Sequence, residues 1–151
     1  MAGKFAQQTS VSVSQSKFDI EKALRRYGAS RFASGWDDKT ATLAFEIHDR
    51  MVRFIVKMPT LDQFALTDTG RERSASVAMA AWEQATRSTW RSLLLCIQAK
   101  LEAVAAEIAT FDDEFLAYMV MGDGRTVSEH VAPSLHTSIA SNRQLMLGAG
   151  S

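Results

Sequence analysis

Apolar positions along the chain change their spacing several times, and each change marks an element. Phe18, Ile20, Ala23, Leu24 and Tyr27 recur at helical spacing, which predicts a helix of about three turns beginning at Ser16. Ser16-Lys17-Phe18-Asp19 fits a capping box with Asp in place of Glu, and Gly28 supplies the left-handed residue that ends a helix. The spacing then becomes two. Arg31 to Trp36 reads as a first strand and Asp37-Asp38-Lys39 as a turn in which carboxylates bond to local backbone. Thr40 to Ile47 follows as a second strand, with Leu43, Phe45 and Ile47 alternating against Thr42, Ala44 and Glu46. His48-Asp49-Arg50 turns the chain into a third strand, Met51 to Met58. Val52, Phe54, Val56 and Met58 take one of its faces, Arg53 and Lys57 the other, and Pro59 stops it.

Residues 60–73 read as a polar loop around Gly70. From Ser74 to about Ala109 the spacing is helical again, and Trp90, Leu94, Ile97, Leu101, Val104 and Ile108 step by 4, 3, 4, 3, 4. Such a seam ordinarily packs against a sheet. A helix this long outreaches three strands, so a seam shared with a second copy, and hence a homo-oligomer, is the alternative. Thr110-Phe111-Asp112-Asp113 reads as a fresh N-cap before a short helix. Thr126-Val127-Ser128-Glu129 reads as a capping box opening a helix near Val127 to Ile139, with Pro133 in its second turn or marking a restart. The tail carries Leu145, Met146 and Leu147 among polar and Gly residues, a short apolar segment that docks on its own domain or a neighbour's. Residues 1–13 are polar and read as a flexible arm, with Val11 and Val13 spaced for an edge strand.

The expected fold is therefore one α+β domain over residues 14–151. A three-stranded antiparallel sheet in α-β-β-β-α order is covered by a long helix, with a small helical C-terminal subregion, 110–151. The 151 residues suffice for one core. Lys plus Arg equals Asp plus Glu at 17 each, so the total gives no generic attraction to polyanions or membranes. The distribution is uneven: residues 1–60 carry ten basic against six acidic side chains, and residues 61–151 carry seven against eleven. A basic front half of this kind steers a polyanion to one face. The single cysteine, Cys96, allows no intrachain disulfide, and beside the seam it reads as a small buried hydrophobe. No apolar run reaches the roughly 18 residues of a membrane span and the first residues lack an apolar signal core, so the expected location is cytoplasmic.

Candidate chemistry is sparse. His48 and Asp49 fall in a turn, and His130 and His136 are six apart, off the i, i+4 spacing of a helical zinc pair. Asp112, Asp113 and Glu114 sit at a helix start, where carboxylates complement the dipole. Asp37, Asp38 and Glu46 suggest a metal-dependent nuclease, but His48 stands where its Glu-x-Lys pattern needs Lys. Gly122-Asp123-Gly124 lacks the continuation of a phosphate loop. No catalytic set, metal site or cofactor is expected. The outward sheet face is the remaining candidate. Arg53 and Lys57 share it, Arg31 and Trp36 or its neighbours lie alongside, and Lys22, Arg25 and Arg26 line the first helix. Cations with an aromatic on an open sheet hold single strands by phosphate contact and base stacking.

The element order resembles the double-stranded-RNA-binding domain in outline, although the start of the second helix, Ser74 to Ala81, is neutral where that family is basic. It is also similar in topology to phage single-strand annealing proteins. At the level of residues, Ile20-x-x-x-Leu24-Arg25-Arg26-Tyr27-Gly28-Ala29, Phe32-Ala33-x-Gly35-Trp36, Val52-Arg53-Phe54 and Met58-Pro59 resemble a family of small uncharacterised proteins of tailed phages and prophages. Trp90-Arg91, Lys100-Leu101-Glu102-Ala103, Phe115-Leu116-Ala117-Tyr118 and Asp123-Gly124-Arg125-Thr126-Val127 extend that resemblance over nearly the whole chain. It implies a phage origin, action in the host cytoplasm, and a role in replication, recombination or counter-defence. The leading expectation is a non-enzymatic protein that binds single-stranded DNA, with Lys22, Arg25, Arg26, Arg31, Arg53 and Lys57 on phosphates and Trp36 stacking. The alternative is a protein-interaction module, such as an inhibitor of a host defence complex, with a host or phage protein as partner.

Overall fold

Strands β1 (Arg31–Trp36), β2 (Thr40–Ile47) and β3 (Arg50–Lys57) pair antiparallel in chain order, each with the strand that precedes it. A computed structural model describes the backbone of residues 3–148 and the side chains of residues 12–143. Helix α1 (Gly3–Arg26) precedes the sheet; α2 (Ala75–Ala105), α3 (Phe111–Phe115) and α4 (Val127–Gly148) follow it. The expected α+β architecture is what the chain adopts.

The period-2 pattern does its work on β2. Ala41, Leu43, Phe45 and Ile47 are buried, and Thr40, Thr42, Ala44 and Glu46 face the other way. The turn between β2 and β3 is His48-Asp49, both at positive φ, the two-residue geometry that matches the twist of a hairpin. Between β1 and β2, one oxygen of Asp37 accepts from the backbone N–H of Lys39 and Thr40 at 2.8 and 2.7 Å.

One face of the sheet carries α1 and α2. Ile20 and Leu24 of α1 and Trp90, Leu93, Leu94, Ile97 and Leu101 of α2 close over Leu43, Phe45, Ile47, Val52 and Phe54. The 4-3 seam thus packs on the chain's own sheet from Trp90 to Leu101, and Ile108, past the helix end, is 80% exposed. Two contacts fix the direction of α1 relative to α2. Lys17 lies over Trp90, and the Tyr27 hydroxyl meets Glu102 at 3.5 Å, so the helices run side by side in the same sense.

Several expectations need correction. Ser16 does not start a helix: α1 runs from Gly3, which takes in most of the expected arm, and Ser16 is buried inside it. Val13 packs against the core, so burial overrides the weak helix propensity of the Ser- and Val-rich run. Phe18 falls on the exposed side of α1. Cys96 is exposed, because Leu93, Leu94 and Ile97 define the buried stripe and a residue two past Leu94 leaves it. α2 ends at Ala105 rather than Ala109: Glu107 takes a left-handed φ of 58°, and the N–H groups of Glu107 and Ile108 close back on Val104 and Ala103. The last helix, α4, runs to Gly148 rather than Ile139, with Pro133 inside it, the first of the two expected placements. The arm's Met1 and Ala2 lie outside the described residues, as do the side chains of Val11, Leu145, Met146 and Leu147.

Of the expected N-caps, those at Thr110 and Thr126 form: Thr110 accepts from Asp113 and Thr126 from Glu129, whose carboxylate returns to the Thr126 N–H at 3.2 Å; Ser74 also caps α2, accepting from Val77. Between α3 and α4 the chain runs along the free edge of β3, where the Val120 N–H bonds to the Met51 carbonyl at 2.8 Å.

Candidate functional site

The register decides which candidate residues share a surface. Arg31, Ala33 and Gly35 oppose Glu46, Ala44 and Thr42, which oppose Met51, Arg53 and Ile55; Lys57 opposes Thr40. Those residues make the outer face. Phe32 opposes Phe45 and Trp36 opposes Ala41, so Trp36 stands on the inner side, at the end of the sheet. The expected stacking residue is therefore not on the face of Arg53 and Lys57.

The cations of the outer face are unequal. Arg53 is half-buried beneath the start of α4, donating to the Gly124 carbonyl at 2.9 Å and lying 3.6 Å from the Glu129 carboxylate. Its Nε is buried and has no hydrogen-bond partner among the described residues. Arg31 lies 3.7 Å from Glu46. Lys57 is exposed beside Ile55 and the two threonines of β2. On α1, Arg25 pairs with Glu21 at 2.8 Å, while Lys22 and Arg26 are exposed. Lys22, Arg25, Arg26 and Arg31 cluster where α1 hands over to β1, and Trp36 and Lys57 lie at the opposite end of the sheet.

At that opposite end the helices overhang. Thirty-one residues of α2 span about 46 Å at the usual rise, against about 26 Å for the eight residues of β2. The surplus length of α1 and α2 walls a pocket of about 430 Å³, lined by Val13, Ser14, Lys17, Trp36, Asp37, Asp38, Met58, Pro59, Trp82, Thr86 and Trp90. All three tryptophans of the chain meet there. Trp90 is buried as the floor, with the Lys17 ammonium 4.8 Å from its ring centroid. Trp82 is held by its indole N–H on the Pro59 carbonyl at 2.9 Å. Trp36 is 73% exposed at the lip. Asp37 is consumed by its turn; the N–H groups of Lys39 and Thr40 and the Thr40 hydroxyl hold its carboxyl below the ordinary range. Lys57 and Trp36 occupy strands two spacings apart, roughly 10 Å.

This pocket is absent from the sequence reading, because it depends on α1 and α2 running parallel past the sheet. The available signal was parity: Phe32 inward puts Trp36 inward too. The histidines behave locally. His48 sits in its turn with its ring edge-on to Phe111, and the Nε2 atom of His130 meets the Asp123 carboxylate at 2.9 Å. That pairing is the chief reason the Asp123 carboxyl is held low. Among the described residues no cluster of His, Cys, Asp and Glu is arranged to hold a metal ion, and no helix is long and apolar enough to cross a membrane. Comparison with protein-family models, with curated proteins and with solved structures finds no match.

Proposed function

We propose that this protein is a non-enzymatic phage protein that binds single-stranded DNA, in replication or recombination, at the tryptophan-lined end of its sheet. One observation carries the reading: an indole exposed at the lip of a pocket whose other walls include two more. Every base has a π-face, so stacking on such a platform tolerates any sequence. Duplex DNA keeps its bases stacked on each other and has none to offer. Lys39 and Lys57 flank this end and supply phosphate contacts. Arg53 and Arg31, engaged by Glu129 and Glu46, support the fold rather than the strand in this reading.

Fluorescence anisotropy with labelled single- and double-stranded oligonucleotides, at about 50 and about 200 mM salt, tests it. Single strands are expected to bind preferentially and to weaken steeply with salt. Trp36→Ala removes a stacking contact of about 1–3 kcal/mol, roughly a 5- to 150-fold loss. Lys57→Ala is expected to lower the salt slope by about 1. An absence of binding at low salt, or full binding by Trp36→Ala, refutes the assignment.

A second reading rests on α4. Val131, Leu135 and Ile139 repeat every fourth residue and are 48%, 50% and 57% exposed. Beyond its first turns α4 lies open to solvent on all sides described. An apolar stripe on such a helix suits a protein partner, as in an inhibitor of a host defence complex. Pull-down with the parent and with Leu135→Asp tests this; a stoichiometric partner retained by Leu135→Asp refutes it.

A further inference from the structure

We infer that the tryptophan-lined pocket takes one unstacked base of the strand and favours bases that carry an exocyclic amine, with the Asp38 carboxylate as acceptor. This rests on the single-strand reading above. The pocket offers flat apolar walls, one cation and two carboxylates, and its volume falls in the range of small-molecule sites. The two carboxylates are not equivalent. Asp37 spends Oδ1 on two backbone N–H groups at 2.8 and 2.7 Å and Oδ2 on the Thr40 hydroxyl at 3.1 Å. Asp38 is exposed, lines the same pocket and accepts no hydrogen bond among the described residues.

A free carboxylate repels phosphate, so beside a strand it has a favourable use only on a donor. Cytosine, adenine and guanine each present an exocyclic amine, and a carboxylate accepting from the cytosine amine is an established pairing. Thymine presents two carbonyl oxygens, which Asp38 would repel, and a single ring N–H. Lys17, fixed over Trp90, supplies the complementary donor for a base oxygen or ring nitrogen. Cytosine, with its amine and carbonyl on one edge, satisfies both groups together. The strand would thus be read at one position by hydrogen bonding and elsewhere held without regard to sequence.

The test is a titration of the parent and of Asp38→Ala with homopolymers of dC, dA and dT. Quenching of tryptophan fluorescence is the readout, since all three tryptophans line the pocket. The dC and dA strands are expected to bind the parent about tenfold more tightly than dT, the scale of one hydrogen bond to a charged acceptor. Asp38→Ala should bind dT more tightly than the parent does and bring the three strands to within about twofold of each other. Equal affinity of the parent for dC, dA and dT overturns base selection and leaves single-strand binding standing. A preference that survives in Asp38→Ala overturns the role of Asp38. Failure of the parent to bind any strand overturns both readings together.

Discussion

Phe115 is where the C-terminal helices enter the main core, and truncating it measures whether they belong to the same folding unit. The side chain is fully buried. Its ring stands edge-on to Phe45 at 5.8 Å and to Phe54 at 6.4 Å, and stacks on Phe111 at 4.7 Å. Lys100 Nζ lies 5.8 Å over the ring, anchored by Glu114 at 3.3 Å. Removing a buried Phe ring costs about 3–5 kcal/mol through lost transfer energy and the cavity left behind. Three aromatic partners, each adding roughly 0.5–1.5 kcal/mol beyond area, place Phe115→Ala in the upper part of that range, about 4–5 kcal/mol. A domain of this size has about 5–15 kcal/mol in all and loses roughly 2–4 °C of melting temperature per kcal/mol, so a fall of about 8–20 °C is expected. Urea denaturation followed by far-UV circular dichroism should show a lower midpoint with an unchanged slope. Phe115→Leu, which keeps most of the volume, should lose under about 2 kcal/mol. A loss below about 2 kcal/mol for Phe115→Ala, or two separate transitions in the parent, would refute the claim that the aromatic cluster fuses the helical C-terminal part to the sheet.

Three further outcomes are expected. Glu107→Gly places glycine at the left-handed end of α2 and should stabilise by about 0.5–1 kcal/mol, read as a raised urea midpoint; destabilisation would mean that the φ of 58° carries no strain. Asp37 and Asp123 both have folded pKa values below the ordinary carboxylate value, so their contribution is complete above about pH 4 and is lost as pH falls through the lowered values. Melting temperature against pH should therefore fall on the acid side, and Asp37→Ser should flatten that limb; an unaltered limb would detach Asp37 from acid stability. Thr126→Ala removes the side-chain arm of a capping box, leaving the backbone N–H of position 126 on the Glu129 carboxylate, and should cost about 1 kcal/mol and raise amide exchange through the first turns of α4; unchanged exchange would refute the capping role.

What could be read from the sequence was local. β1 and β2 fall on the expected residues and β3 within one, because period-2 burial and turn chemistry are written in neighbouring positions. Thr110 and Thr126 announced their helices for the same reason: a cap needs only the residue three ahead. Ser16 mimicked a cap because its spacing to Asp19 was right, and only the packing of Val13 and the burial of Ser16 distinguish a helix interior from a helix start. Glu107 gave no sign of ending α2, since a left-handed residue other than glycine is set by its surroundings. The candidate cations were found as residues but not as a surface. Whether Arg53 meets solvent or Glu129 depends on a contact 76 positions away in the chain, and whether three tryptophans converge depends on how α2, which carries two of them, lies against the end of β1.

The meander order of the sheet bears on how the chain reaches this state. Each strand pairs with the one just before it, through turns of two or three residues, so the sheet can assemble from contacts that cost little loop entropy. The α1–α2 pairing is of another kind: Tyr27 and Glu102 are 75 positions apart, a closure that costs more loop entropy than either hairpin. The walls of the tryptophan-lined end come from α1 and α2 as well as from the sheet, so that end depends on the chain's long-range pairing and not on the hairpins alone.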